Sequence, residues 1–323
     1  MSDGRVLVVG SNGLLGQKVV EVFVRGTAAT VAAASVEPAS IRPLQSVSYR
    51  QLDITVRQDV KSLVADLAPE VIINCAALTN VDACEKERDL AWRINVAGVE
   101  NLAEAAKKPG AALVHISSDY VFDGKRGPYA EDDRPEPLSY YGKTKLASEN
   151  VLRSSSVPST IIRTIVLFGY AEGVKQNFAL WLIESLSAGT AVRVVDDQMG
   201  NPTLVDDLAY AILKAVELKK RGLYHVAGRD IVSRYAFAVR LAEIFGLDPA
   251  LIQPIKTSQL EQPAPRPLKS GLITLKAETE LGYTPSSVDD GLAVLKSQIL
   301  RAGRWAADRE AAPGRRTTSP PPR

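Results

Sequence analysis

Tyr141 and Lys145 stand four residues apart at the head of a helix-like segment, Ser139-Tyr140-Tyr141-Gly142-Lys143-Thr144-Lys145. Four residues is about one helical turn, so a phenol and an ammonium project from one face. A neighbouring positive charge favours phenolate and lowers a Tyr pKa from its ordinary value of about 10. Such a pair can donate a proton near neutral pH. Tyr210 and Lys214 repeat the spacing, so the pair alone is weak evidence. Tyr210/Lys214 follows no strand end bearing hydroxyls, and Leu208, Ala209, Ala211, Ile212 and Leu213 make its helix read as packing. Tyr141 follows Ser118-Asp119, at a strand's carboxyl end, by 23 residues. Open α/β sheets place their chemistry at such ends.

The elements that must position these residues can be read in order. Arg5–Val9 reads as a buried strand. Gly10-Ser11-Asn12-Gly13-Leu14-Leu15-Gly16 follows, then an apolar-periodic helix to about Arg25. Strand, glycine loop and helix N-terminus form a phosphate-binding turn, because glycine lets the backbone approach a pyrophosphate and free N–H groups face the anion. Thr30–Ala34 is a second strand. Beyond it, Glu37 suits a ribose 2′-hydroxyl and Arg42 a 2′-phosphate, which leaves NAD and NADP both open. A third strand, Tyr49–Leu52, ends at Asp53-Ile54, where a polar residue meets an adenine amino group or simply opens a helix. Val71–Cys75 is a fourth strand, and Ala76-Ala77 after it leave room for a ligand over the sheet edge. Ala91–Ala106 is expected to be helical, and Asn95 within it needs hydrogen-bond partners if buried. Ala112–Ile116 is the fifth strand, with His115 read as a core residue. Ser159–Thr164 is the sixth.

From Phe168 the pattern changes to a smaller lobe of short elements, with Leu223–Val226 returning to the main sheet. The expected fold is therefore α/β, a doubly wound parallel sheet with an interleaved C-terminal substrate lobe. Residues 1–168 form the dinucleotide-binding part, completed by about 204–228. Residues 169–203 and 229–300 form the second lobe, whose last part, 249–300, is read as Pro-rich with short helices. Residues 301–323 read as a disordered basic tail.

The apolar (46%) and charged (24%) fractions are those of an ordinary globular protein. From Arg301 onward six arginines face only Asp308 and Glu310, so the net charge of +2 belongs to the tail. The body offers no nucleic-acid-binding face. Two cysteines (Cys75 and Cys84), two histidines and no CxxC argue against a zinc or redox site. No apolar run reaches about 18 residues and the N-terminus lacks a signal-peptide core, so no membrane partner and a cytoplasmic location are expected.

A glycine loop, an Asn in a middle helix, a Ser at the fifth strand end and Tyr-x-x-x-Lys on the next helix resemble the extended short-chain dehydrogenase/reductases. That resemblance covers roughly residues 5–230. The chain is most similar to the dTDP-4-dehydrorhamnose reductase family, through GSNGLLGQ (10–17), NCAALTNVDACE (74–85), INVAGVENLAEAA (94–106), ISSDYVFDG (116–124), PLSYYGKTKLASE (137–149), DQMGNPT (197–203) and RPLKSGLIT (266–274).

The resemblance implies a Rossmann fold and NADPH- or NADH-dependent reduction of the C4 keto group of a nucleotide-linked sugar. Tyr141 would donate the proton, with Lys145 lowering its pKa and holding the nicotinamide ribose. Ser118 would bind the substrate oxygen, Asp119 would assist or orient the sugar, and Asn95 would support Lys145 through a water. Arg163, Asn177, Asp197, Gln198, Pro202 and Thr203 match positions near the substrate. Arg266 would reach a diphosphate. Relatives with magnesium at a dimer interface carry Glu where this chain has Lys18, so no such metal is expected; a homodimer stays open. Val166 stands where rhamnose-pathway enzymes often carry a sugar-facing aromatic. The beta subunit of methionine adenosyltransferase, a non-catalytic NADP-binding relative, shares ISSDYVFDG and YGKTKL and is the alternative reading.

Overall fold

A computed structural model describes residues 4–174 and 177–304. The first half alternates strand and helix. Strands β1 (Arg5–Val9), β2 (Thr30–Ser35), β3 (Ser48–Gln51), β4 (Val71–Asn74), β5 (Ala112–Ser118) and β6 (Ser159–Thr164) are joined through α1 (Leu14–Gly26), α2 (Arg57–Leu67), α3 (Val81–Lys86), α4 (Arg88–Trp92), α5 (Gly98–Lys107) and α6 (Tyr140–Ser154). The second half contributes β7 (Leu167–Phe168), α7 (Phe178–Ser187), β8 (Val192–Val195), β9 (Met199–Gly200), β10 (Thr203–Leu204) and α8 (Val205–Glu217). It ends with β11 (Gly222–His225), β12 (Val232–Ser233), α9 (Arg234–Phe245), β13 (Ile252–Ile255), α10 (Leu275–Leu281) and α11 (Val288–Arg301).

Seven strands form one sheet in the order β11-β6-β5-β4-β1-β2-β3. Every neighbouring pair in it is parallel. The apolar strands follow from two covered faces. In β1, Val6 and Val8 pack with α1 and α8, whereas Leu7 and Val9 pack with α2 and α5. A third core joins α7, α9, α11 and β8. The chain reverses direction across the sheet between β1 and β4, beside the glycine loop, which is where such sheets bind nucleotides.

Three expectations change. The helix expected over 91–106 is α4, a π-helical turn (Arg93–Ala97) and α5. Gly98 lies so close to Ile54 that a Cβ would come within 2.5 Å of it. The segment expected to hold only short helices contains α11, whose buried stripe of Val288, Leu292, Leu295 and Ile299 secures 14 residues. That helix carries Arg301, so the expected tail starts later; its residues 305–323 lie outside the described residues. Among the described residues no helix is long and apolar enough to cross a membrane.

Candidate active site

The glycine loop is shaped for close approach. Gly10 has φ +76°, and a Cβ there would meet Ala76 N at 2.6 Å; at Gly16 a Cβ would meet Gly10 O at 2.2 Å. The turn after β1 is therefore pressed against the turn after β4 and against the first turn of α1. Gly13 caps α1 without using a side chain, which leaves helix N–H groups turned outward. Ser11 Oγ is buried and unpartnered. A cradle only glycine can form, together with an orphaned buried hydroxyl, fits a dinucleotide pyrophosphate.

Not every loop residue faces that cradle. Asn12 donates to Glu37 Oε2 and Ala39 O, both at 3.0 Å, and accepts from Ile41 N at 3.0 Å. Its side chain pins the segment after β2, so only its backbone is left for a cofactor. Leu15 belongs to the core and Leu14 packs against it. Arg42 pairs with Glu21 at 2.7 Å. Asp53 accepts from Thr55 N (2.9 Å) and Oγ1 (2.8 Å), closing a turn, and Ile54 is buried. Ala76 N donates to Asn74 Oδ1 at 3.1 Å, while Ala76 and Ala77 stay partly exposed beside Gly10.

Helix α6 opens on Ser139, whose Oγ accepts from Gly142 N at 3.2 Å. Gly142 is required by packing, because a Cβ would lie 2.1 Å from Tyr120 O. This contact sets Tyr141 against the turn that follows β5. Tyr141 meets the Tyr120 ring edge-on at 5.5 Å, with Ser118 near enough to oppose the rise of its phenol pKa. Ser118 Oγ donates to Asp119 Oδ1 at 3.0 Å, and Ser270 Oγ, from the second lobe, donates to Asp119 Oδ2 at 2.6 Å. Burial pushes the Asp119 carboxyl up to about 6 against the opposing effect of both hydroxyls.

The expected lowering of Tyr141 by Lys145 is not what the site contains. Burial pushes the phenol above its ordinary value, and Asp119 and Tyr120 add to the rise. The Lys145 charge is felt instead at His115 and Cys84. Lys145 is itself buried, brought down to about 8 by loss of water with Glu149 opposing. Among the described residues its ammonium makes no hydrogen bond, which leaves three donors for a ligand hydroxyl.

Asn95 sits in the π turn, buried, and holds Leu78 by both ends: Oδ1 accepts from Leu78 N (2.8 Å) and Nδ2 donates to Leu78 O (3.0 Å). Nδ2 also donates to Thr144 Oγ1 at 3.0 Å. It therefore ties the turn after β4 directly to α6. A π turn, which places a side chain where a regular helix would not, is a recurrent device at functional sites. His115 is neutral and internal, between Asn74 and Ser148.

Several residues expected to face substrate are committed elsewhere. Arg163 is fully buried and grips Glu149 with Nε to Oε1 and Nη2 to Oε2, both at 2.8 Å. Its guanidinium lies against the Phe122 ring, 5.0 Å from its centre. Asn177 caps α7, accepting from Leu180 N at 3.1 Å and donating to Gly169 O at 2.8 Å. Asp197 accepts from Thr257, and Thr203 donates to Ile165 O. Arg266 pairs with Asp82 at 2.8 Å. Gln198 and Pro202 do line the cleft, with Asp119, Tyr120, Val166 and Ser270. Val166 has φ +43°, an unusual conformation for a β-branched residue and one that concentrates at functional sites. Ser270 lies within the RPLKSGLIT motif, and only its long-range bond to Asp119 marks it as a cleft residue. The helix carrying Tyr210 and Lys214 packs as expected, with Leu208, Ala209, Ala211, Ile212 and Leu213 buried, and leaves Tyr210 exposed with Lys214 Nζ 5.3 Å from its ring centre. Lys18 pairs with Asp206 at 2.9 Å.

The chain matches the family described as the RmlD substrate binding domain over residues 4–299. It belongs to that family. Three relatives show its range. The chain is 33% identical to the probable low-salt glycan biosynthesis reductase Agl14 of Haloferax volcanii, covering 90% of this chain and 96% of that one. It is 31% identical to dTDP-4-dehydrorhamnose reductase of Bacillus anthracis, solved in complex with NADP, with TM-score 0.79 over 92% of this chain and all of that one. It is 33% identical to methionine adenosyltransferase 2 subunit beta of Xenopus laevis, over 85% of this chain and 81% of that one.

Proposed function

We propose that this RmlD-family chain is an NAD(P)-dependent oxidoreductase that reduces the C4 keto group of a nucleotide-linked 6-deoxy-4-ketohexose, using NADPH or NADH. The observation that carries the reading is that α6, which bears Tyr141 and an unpaired buried Lys145, is tied through Asn95 to the turn after β4 against which the glycine cradle is pressed. NAD(P)H supplies a hydride to a carbonyl carbon. The Tyr141 phenol holds the carbonyl oxygen and gives it a proton as negative charge develops there, and the Ser118 hydroxyl joins it by turning its one proton from Asp119 Oδ1 to that oxygen. The raised Tyr141 pKa keeps that proton in place until the oxygen becomes the stronger base. Lys145, whose ammonium makes no hydrogen bond among the described residues, would hold the nicotinamide ribose with its free donors. Asp119, fixed between Ser118 and Ser270, orients the sugar. Asn95 holds the Leu78 turn against α6 and so keeps the cofactor side and the acid side in register.

Following nicotinamide absorbance with dTDP-4-keto-6-deoxy sugars tests the reading, and absence of turnover with any keto-sugar nucleotide would sink it. Tyr141→Phe is expected to cut turnover by about 10²–10⁴-fold, the ordinary contribution of a positioned acid, while leaving NAD(P)H affinity unchanged. The similarity to methionine adenosyltransferase 2 subunit beta favours a second reading, a non-catalytic NADP-binding subunit. Under it a methionine adenosyltransferase is retained in a pull-down, and Tyr141→Phe leaves that complex intact.

A further inference from the structure

Arg234 brings a guanidinium with no ion-pair contact among the described residues to the wall of the cleft. It opens α9 directly after β12, which pairs with β9 so that Ser233 lies opposite Met199. Its backbone N–H donates to Gln198 O at 3.1 Å. That anchoring sets the side chain in the cleft wall with Asp119, Tyr120 and Ser270. The guanidinium lies over the Phe178 ring, 5.0 Å from its centre. Among the described residues it makes no ion pair and no side-chain hydrogen bond. Asp119 attracts it electrostatically but makes no hydrogen bond to it, its carboxylate being turned to Ser118 and Ser270.

A cation removed from much of its water and left without an acceptor is costly unless an anion completes it. Stacking on Phe178 occupies the face of the guanidinium and leaves its edge, a rigid fork of donors suited to phosphate oxygens. Arg266 lies close enough to act on Arg234 electrostatically, with Asp82 offsetting its own charge. Two arginines held in range of one another suit a group carrying more than one negative charge better than a single carboxylate.

We infer that Arg234 is the anion anchor of the cleft and takes the diphosphate of the nucleotide-linked substrate, so that it governs which substrates are held rather than the proton transfer. This rests on the reductase reading for the class of substrate. The test is calorimetric binding of dTDP, UDP, thymidine and uridine to the full chain, to Arg234→Gln and to Arg234→Lys, with NADPH binding and thermal unfolding as controls. Loss of a charged hydrogen-bonding group predicts that Arg234→Gln weakens the better-bound diphosphate by about 10–100-fold. Nucleoside and NADPH affinities stay unchanged, and Arg234→Lys falls between. With keto-sugar nucleotide, KM rises by a similar factor while kcat holds within about threefold, the mark of lost uniform binding.

Equal diphosphate affinity in a normally folded Arg234→Gln chain overturns the assignment, as does absence of binding of both diphosphates to the unaltered chain. A loss confined to the keto-sugar substrate, with diphosphate affinity kept, would move the guanidinium to the sugar and also overturn it. Arg234-dependent diphosphate binding without turnover of any keto-sugar nucleotide would remove the reductase reading and leave the anchor standing.

Discussion

Lys145 carries opposite demands at the scale of one residue. Burial brings its pKa from 10.5 to about 8, so the fold disfavours the charge that the proposed chemistry uses. The folded value lies below the unfolded one. Between about 8 and 10.5 the unfolded chain binds the extra proton, and stability rises with pH through that window. A shift of this size is worth on the order of 3 kcal/mol. Catalysis needs the ammonium and so falls over the same window. Buried Cys75, Cys84 and Tyr141, whose folded values are raised, pull stability the other way from about pH 9 upward, so the Lys145 contribution is read as a difference from Lys145→Met. The expected outcome is a kcat/KM that declines above pH 8, while the urea midpoint of the unaltered chain rises relative to that of Lys145→Met between pH 8 and pH 10. Lys145→Met should also lose most of the activity. A difference between the two urea midpoints that does not change over that range would contradict this.

At the scale of an element, α6 is held by what it lacks. Gly142 lets the helix touch Tyr120 O, and an added Cβ would stand 2.1 Å from that backbone atom. Neither side can yield cheaply, since the obstacle is main chain on both. Gly142→Ala should therefore shift Tyr141 away from Ser118. We expect stability to fall by about 1–3 kcal/mol, the usual cost of overpacking, although alanine is the better helix former. Turnover should drop far more than nicotinamide binding, and denaturant melts with single-turnover kinetics would separate the two effects. The strands and the main helices of the first half were legible in the sequence because both faces of a parallel sheet are covered and their apolar runs are unbroken. Tyr141, Ser118 and the glycine loop were legible because their spacing recurs around a sheet edge. Arg163 misled because matched motif positions do not disclose where a side chain points; its partner Glu149 lies on α6, 14 residues away in sequence. Arg234 and Ser270 gave no local signal, since their place in the cleft depends on β9/β12 pairing and on a contact spanning 151 residues. The π turn was hidden because its apolar pattern continues that of the flanking helices.

At the scale of the whole molecule the two lobes are not separable at the point where the sequence pattern changes. The strand β11, which completes the sheet beside β6, follows most of the cleft-lining segments in the chain. Before it comes α8, which packs along α1 and buries Val205, Leu208, Ile212, Leu213 and Val216. Lys18 and Asp206 fasten the same two helices. Five branched aliphatic side chains at about 1.5–3 kcal/mol each amount to roughly 10 kcal/mol, comparable with the entire stability of an ordinary domain. A chain ending at Phe168 would expose Val6, Val8, Val19 and Phe23 to water and leave β6 as an open edge. It contains every residue of the glycine loop together with Ser118, Tyr141 and Lys145, but lacks the segment over about 204–228 expected to complete the dinucleotide-binding part. We expect that residues 1–168 alone give no cooperative urea transition and no NADPH binding by fluorescence. A fragment that unfolds cooperatively and binds NADPH would show that α8 and β11 only decorate the sheet. The opposite result would mean that the second lobe's helix is part of the dinucleotide site's foundation, so substitutions on α8 facing α1 should weaken cofactor and substrate together.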